Sequence, residues 1–176
     1  MVQIVPLTPD NFHIDSLDSY VRRQTIQEIW RQVDGVWQLV PHSFVDDWDS
    51  GKRRKVAAEV LDGLRSGELA YGAFDGDALV GFALLSLKRF GNCEQYVQLK
   101  LLQISAPYRG KGIGRRLFEL CANAARARGA KKLYISAHPS KESQAAYHRF
   151  GCTYASEVDE ALAAAEPFDV QMEFTL

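Results

Sequence analysis

The chain has 176 residues, 47% of them apolar and 24% charged, with a formal net charge of −1. That length buries a sizeable core and suits a single domain, 1–176, and the near-neutral balance excludes binding to nucleic acid or to a membrane surface through the field of the whole molecule. No apolar run is long enough to span a bilayer, the opening MVQIVPLTPDNF lacks the basic-then-apolar layout of a signal peptide, and Cys93, Cys121 and Cys152 show neither pairing nor metal-ligand spacing, so the expectation is a cytoplasmic protein with reduced thiols and no metal.

Leu17 to Trp30 reads as a first helix, with Val21, Ile26 and Ile29 as its apolar positions. Asp34-Gly35 between two β-prone flanks is a two-residue hairpin signal. Lys55 to Leu64 reads as a helix, since Val56, Val60, Leu61 and Leu64 share a face. LAYGAF and ALVGFALLSL read as strands joined by the turn DGD. Tyr96 to Ser105 is a further strand, with Val97, Leu99 and Leu101 on one side and Tyr96, Gln98, Lys100, Leu102 and Ile104 on the other. A glycine-rich turn then opens a helix of about four turns, apolar at Ile113, Leu117, Leu120, Cys121 and Ala124 and closed by Gly129. KLYISA is a short strand, SKESQAAYHRF a helix ended by Gly151, and PFDVQMEF a final strand. The chain is mixed α/β, with a run of antiparallel-type strands before a βαβ-like unit.

The turn YRGKGIGRR holds the chemistry. A P-loop needs Gly-Lys-Ser/Thr, and Lys111 is followed by Gly112; a dinucleotide fingerprint needs G-x-G-x-x-G, and Arg115 stands where its last glycine belongs. What remains is a strand that ends in a glycine turn and opens a helix. Gly110, Gly112 and Gly114 admit close backbone approach, the first-turn N–H groups lack intrahelical partners, and Arg109, Lys111, Arg115 and Arg116 add positive charge. Read alone, the segment is equally a plain strand-to-helix turn with solvated basic residues.

LQISAPYRGKGIGRRLFELC resembles the acyl-CoA-binding segment of the GNAT superfamily of N-acetyltransferases, in which a strand triplet runs into Arg-Gly-x-Gly-x-Gly/Ala and a helix. The resemblance implies an acyl-CoA N-acyltransferase fold, with a central, mostly antiparallel sheet flanked by helices. It further implies that the backbone of Leu102, Gln103 and Ile104 meets the pantetheine arm of acetyl-CoA and that the loop Arg109, Gly110, Lys111, Gly112, Ile113, Gly114 and Arg115 holds its pyrophosphate. PSKESQAAYHRFGC is similar to the family's Asn-x-x-Ala-x-x-x-Tyr-x-x-x-Gly-Phe segment, with Ser140 at the asparagine, Tyr147 at the tyrosine, Gly151 at the glycine and Cys152 in place of phenylalanine.

The implied reaction is transfer of an acetyl group from acetyl-CoA to a primary amine of a small molecule or peptide by direct attack, with the co-substrate as the only cofactor; the resemblance also admits a homodimer. A backbone N–H of Leu102 or Ile104 would polarise the thioester carbonyl and Tyr147 would protonate the leaving thiolate. The base is unassigned. Several family members carry glutamate where this chain has Gln98, an amide that takes no proton; Glu94, His138 and Asp169 are candidates by rough proximity. Glu28 or Asp46 would meet an amine if the early segment lined the acceptor cleft. The plainer reading of Arg22, Arg23 and Glu28 as a solvated helix face, and of Trp30, Trp37 and Trp48 as core aromatics, is preferred. The alternative to an enzyme is a non-catalytic acyl-CoA-binding module of the same fold, motivated by Gln98 and opposed by Tyr147.

Overall fold

Asp34 and Gly35 both take positive φ, 50° and 77°, the pair of values a two-residue turn needs to match the twist of its strands. In the computed structural model of residues 1–176 this turn links β2 (Gln24–Val33) to β3 (Val36–Asp46) in a separate two-stranded sheet. The helix expected over Leu17–Trp30 is therefore absent. Ile26 and Ile29 are both buried, and their three-residue spacing imitates a helix although both lie in the strand β2. The hairpin register shifts between Ile26 and Glu28, where β3 carries one extra residue between Phe44 and Pro41. Leu17 and Tyr20 are also buried, on irregular turns before the strand.

The remaining strands form one seven-stranded sheet in the order β1-β4-β5-β6-β7-β9-β8, with β1 at Gln3–Pro6, β4 at Leu69–Asp75, β5 at Ala78–Leu85, β6 at Tyr96–Ile104, β7 at Lys132–Ala137, β8 at Thr153–Tyr154 and β9 at Val170–Thr175. Every pairing is antiparallel except β6 with β7. Helices α1 (Ser50–Arg65), α2 (Ile113–Ala127), α3 (Lys141–Phe150) and the short α4 (Glu160–Ala165) complete the chain. Of these elements β1, β8 and α4 carry no signal in the sequence pattern. Asp49 caps α1 by accepting from the Lys52 N–H at 2.7 Å, and Gly151, at φ 99°, ends α3.

The sheet is packed on both faces, which makes this a mixed α/β fold with a mostly antiparallel sheet between helices. On one face α2 sets Leu117, Phe118, Cys121 and Ala125 against Ala83, Leu85, Val97 and Leu99. On the other, α1 and the N-terminal turns bring Val56, Val60, Phe12, Leu17 and Trp48 against Phe82 and Leu84. No helix is long and apolar enough to cross a membrane.

Strand β6 departs from the simple alternation expected of it. Leu84 pairs with Leu101 while the next residue, Leu85, pairs with Leu99, so Lys100 is an extra residue in the ladder. The faces exchange there. Leu102 and Ile104 pack on the α2 side with Val97 and Leu99, and Leu101 packs on the α1 side, the reverse of the strict two-residue alternation. Lys100 turns away to Glu68, with its Nζ 3.2 Å from Oε2.

Candidate active site

The bulge at Lys100 marks the point where β6 leaves β7. The two strands pair only at Tyr96–Lys132, Val97–Leu133 and Gln98–Tyr134, and beyond Gln98 they diverge into a cleft. The Ser105 N–H donates to the Val80 carbonyl at 2.9 Å, which fixes the phase of the antiparallel β5–β6 ladder. Hydrogen-bonded pairs alternate with non-bonded ones, so Leu101 and Gln103 bond to β5 while the N–H and C=O groups of Leu102 and Ile104 point across the gap. Arg109 closes the far end: its Nε donates to the Ile104 carbonyl at 3.0 Å, Nη1 to that of Arg23 at 3.1 Å and Nη2 to that of Arg22 at 2.7 Å. Its guanidinium thus fastens the N-terminal segment to the strand end and faces away from the loop that follows.

That loop runs through a 3-10 turn, Ala106–Tyr108, into α2 with Gly112 as N-cap. None of the six N–H groups from Gly110 to Arg115 has an acceptor in the protein; the first bond of the helix is Arg116 N–H to the Gly112 carbonyl. Gly110 and Gly112 hold φ near 75° and 78°, and a Cβ on either would meet nothing within 4 Å. The space above them is open. Gly114 differs: it lies against β6, with a Cβ there 3.6 Å from the Ile104 side chain. Lys111 rests its ammonium 4.8 Å above the Tyr108 ring, and Arg115 donates to the Arg149 carbonyl at 2.8 Å while lying over Phe150. A concentration of unpaired N–H donors, a helix N-terminus and two nearby cations is suited to a polyanion.

Tyr147, in the second turn of α3, is half-buried against the α2-side core, and its ring meets Phe150 edge-on. Burial, with Cys152, Asp169 and Cys121 adding, pushes its phenol well above the ordinary value, so it carries its proton at neutral pH. Ser140 is fully buried as the N-cap of α3. Its hydroxyl accepts from the Ser143 N–H at 3.3 Å and from Gln24 Nε2 at 3.3 Å. It joins α3 to the hairpin, as do the Trp30 N–H to Pro139 carbonyl bond of 2.8 Å and the Lys141–Glu28 ion pair of 2.6 Å.

The candidate bases separate by position. Glu94 precedes β6, at the end of the sheet opposite the cleft. His138 follows β7 at the correct end, but its Nδ1 accepts the Ser140 N–H at 3.2 Å, which puts the ring proton on Nε2, 3.7 Å from Asp46 Oδ2. Burial and then Arg22 lower its pKa, so it is neutral. Asp46 is itself paired with the buried Arg22 at 2.7 Å, and Glu28 with Lys141. Neither is free to meet an amine. Asp169 precedes β9, whose first residue Val170 faces Ala137, so it too lies at the cleft end. No group of three or more His, Cys, Asp or Glu side chains could hold a metal ion.

A family model of GNAT acetyltransferases matches residues 33–152, a stretch that contains the bulged strand, the glycine loop and Tyr147. The chain belongs to the GNAT acetyltransferase family. Among curated proteins none matches the chain by sequence. Solved structures share the fold: a nourseothricin acetyltransferase, 19% identical, with 99% of this chain and 98% of that one covered and a TM-score of 0.73; a Bacillus anthracis str. Ames protein described as a streptothricin acetyltransferase and solved with acetyl coenzyme A, 14% identical, 100% and 98% covered, TM-score 0.68; and the PaiA N-acetyltransferase of Thermoplasma acidophilum, solved with coenzyme A, 17% identical, 100% and 99% covered, TM-score 0.63.

Within this GNAT chain the site draws on residues that the sequence pattern had set aside. Arg22 is not on a solvated helix face; it is 6% exposed, donates to Gln24 Oε1 at 3.0 Å and lies over Trp48. Its only sequence signal is proximity to Asp46, visible once the hairpin register brings Gln24 opposite Asp46. Trp48 is core, as expected, and Trp30 and Trp37 pack against the α2-side cluster.

Proposed function

We propose that this chain, with residues 1–176 acting as one unit in the cytoplasm, is an N-acetyltransferase that moves the acetyl group of acetyl-CoA to a primary amine of a small molecule or peptide. The observation that carries the reading is the row of six unpaired N–H groups from Gly110 to Arg115 beneath open space, because a pyrophosphate supplies the acceptors they lack. The neighbours of known structure whose names include nourseothricin and streptothricin favour a cationic small molecule as acceptor.

Bound acetyl-CoA supplies the thioester; the protein's own groups do the rest. The outward N–H groups of Leu102 and Ile104 hold the pantetheine arm and stabilise negative charge on the carbonyl oxygen as it develops. The Ile104 carbonyl, already taken by Arg109, is held rigid for that purpose. Tyr147, a phenol that holds its proton at neutral pH, gives that proton to the departing sulfur. Lys111 and Arg115 balance phosphate charge at the loop, and Ser140 braces the N-terminus of the helix that carries Tyr147.

An acceptor screen with thiol detection tests the reading. Purified protein and acetyl-CoA are offered polyamines, amino acids, aminoglycosides and peptides. Acetyl-CoA-dependent thiol release with one acceptor class supports it; clear acetyl-CoA binding without turnover of any acceptor gives the non-catalytic module instead.

A further inference from the structure

The acceptor amine enters as an ammonium and must lose a proton before it attacks, yet β6 offers only Gln98 where a carboxylate would serve. The carboxylates near the cleft end are mostly committed. Glu28 is bound to Lys141 at 2.6 Å, Asp46 to Arg22 at 2.7 Å and Glu68 to Lys100 at 3.2 Å. Asp169 is half-buried, and its side chain is in no ion pair. Its backbone is fixed: the N–H donates to the Glu166 carbonyl at 3.0 Å, and the adjoining Val170–Ala137 pair starts the β9 ladder. Arg31 of β2 clamps the residue before it, donating to the Phe168 carbonyl at 3.3 Å and stacking 5.2 Å from its ring.

We infer that Asp169 is the general base of the reaction, taking the proton of the acceptor ammonium directly or through one water. The inference rests on the acetyltransferase reading above. The charged or titratable groups that face its carboxylate are Arg31 from β2, Glu166 from the end of α4 and Tyr147 from α3. Burial first, and then Glu166, lift its pKa to about 6 against the pull of Arg31, near the value at which a base is both ionised and proton-accepting at neutral pH. The proton balance closes in two steps. The ammonium gives one proton to Asp169, which passes it to solvent, and the freed nitrogen lone pair forms the new C–N bond at the thioester carbon. As the C–S bond breaks, the sulfur takes a proton from Tyr147, and the proton still on the acylated nitrogen restores Tyr147 through solvent. The products are the amide, the free thiol and one proton.

The test compares wild type, Asp169→Asn and Asp169→Glu, with spermidine and a lysine side-chain amine in an N-acetylated peptide as high-pKa acceptors and hydroxylamine, largely unprotonated at neutral pH, as a pre-neutralised one. With high-pKa acceptors Asp169→Asn is expected to lose about a hundredfold or more in kcat/KM. The acidic limb of its pH profile is expected to disappear, while Asp169→Glu recovers part of the rate. With hydroxylamine the loss is expected to shrink to a few-fold, and acetyl-CoA affinity to stay that of wild type. Equal losses with both nucleophile classes, or a wild-type pH profile in Asp169→Asn, overturn the base while leaving the acetyltransferase standing. Failure of the wild type on every acceptor overturns both. A carbon-13 titration of the Asp169 carboxyl, identified by its absence in Asp169→Asn, is expected to show a midpoint near 6; an ordinary carboxylate midpoint counts against the assignment whatever the kinetics.

Discussion

Arg109 Nε lies 3.0 Å from the carbonyl oxygen of Ile104, and the same guanidinium reaches the carbonyls of Arg22 and Arg23. One side chain therefore ties the last residue of the cleft strand to the segment leading into the hairpin. Arg109→Ala leaves these carbonyls without their charged donor and is expected to lower stability by about 2–4 kcal/mol, read as a shift in the urea midpoint. An unchanged midpoint would show that the clasp contributes nothing to folding.

Gly112 and Gly114 should respond differently. Gly112→Val places a β-branched side chain at φ 78° and fills the open space above the unpaired N–H groups. Acetyl-CoA affinity measured by calorimetry is expected to fall at least tenfold. Gly114→Ala has ordinary φ and a new methyl at van der Waals distance from Ile104, so affinity should stay within about threefold of wild type, since an unstrained contact of that kind disturbs little. Similar losses in both variants would contradict the cradle geometry.

Tyr147→Phe retains the ring against Phe150 and the core while removing the proton. Turnover is expected to drop about 10²- to 10⁴-fold, with acetyl-CoA affinity nearly unchanged. Parallel loss of both would mean that the ring, not the hydroxyl, matters.

Glu173 makes acid stability a second readout, remote from the cleft. Burial opposes its ionisation, but the Lys132 ammonium at 2.6 Å, Tyr96 and Ser156 hold the carboxyl down to about 2. The folded value lies below the unfolded one of about 4.3. Its stabilisation is therefore complete above that pH and is lost as pH falls from about 4.5 towards 2, by up to about 3 kcal/mol. Glu173→Gln is expected to flatten the acid limb of the stability curve. An identical acid limb in the variant would dissociate Glu173 from acid unfolding.

The three cysteines predict a graded thiol titration. Cys93 is exposed, whereas Cys121 and Cys152 are buried, and burial pushes both thiols up to about 12. Native protein should react rapidly with one equivalent of a disulfide reagent and denatured protein with three. Two or more fast thiols in the native state would show that the core opens around Cys121 in α2 or around Cys152 after α3. The single fast thiol is also the background that a thiol-release assay must subtract.

The sequence pattern carries β4 to β7, β9, α1 to α3 and the glycine loop because those segments keep clean periods and marked ends. It fails where burial or an inserted residue departs from strict alternation. Ile26 and Ile29, both buried, give a strand the spacing of a helix, and the bulge at Lys100 exchanges the faces of β6. Arg109 illustrates a different limit: its charge is legible beside the glycines, but its direction depends on carbonyls of residues 22 and 23, more than eighty positions away. Asp169 has no motif around it, and its place at the cleft end of the sheet follows only from the pairing of Val170 with Ala137.

The extra residue at Lys100 has a consequence for how such a site is found experimentally. The gap between β6 and β7 opens where β6 gains one backbone unit, since every peptide group beyond the bulge is displaced by one place against β5. A scan that exchanges side chains one at a time keeps that count and leaves the gap open. Removing Lys100 altogether shortens the strand by one unit and is expected to let the parallel ladder run on past Gln98, abolishing acetyl-CoA binding with every residue of the glycine loop still in the chain.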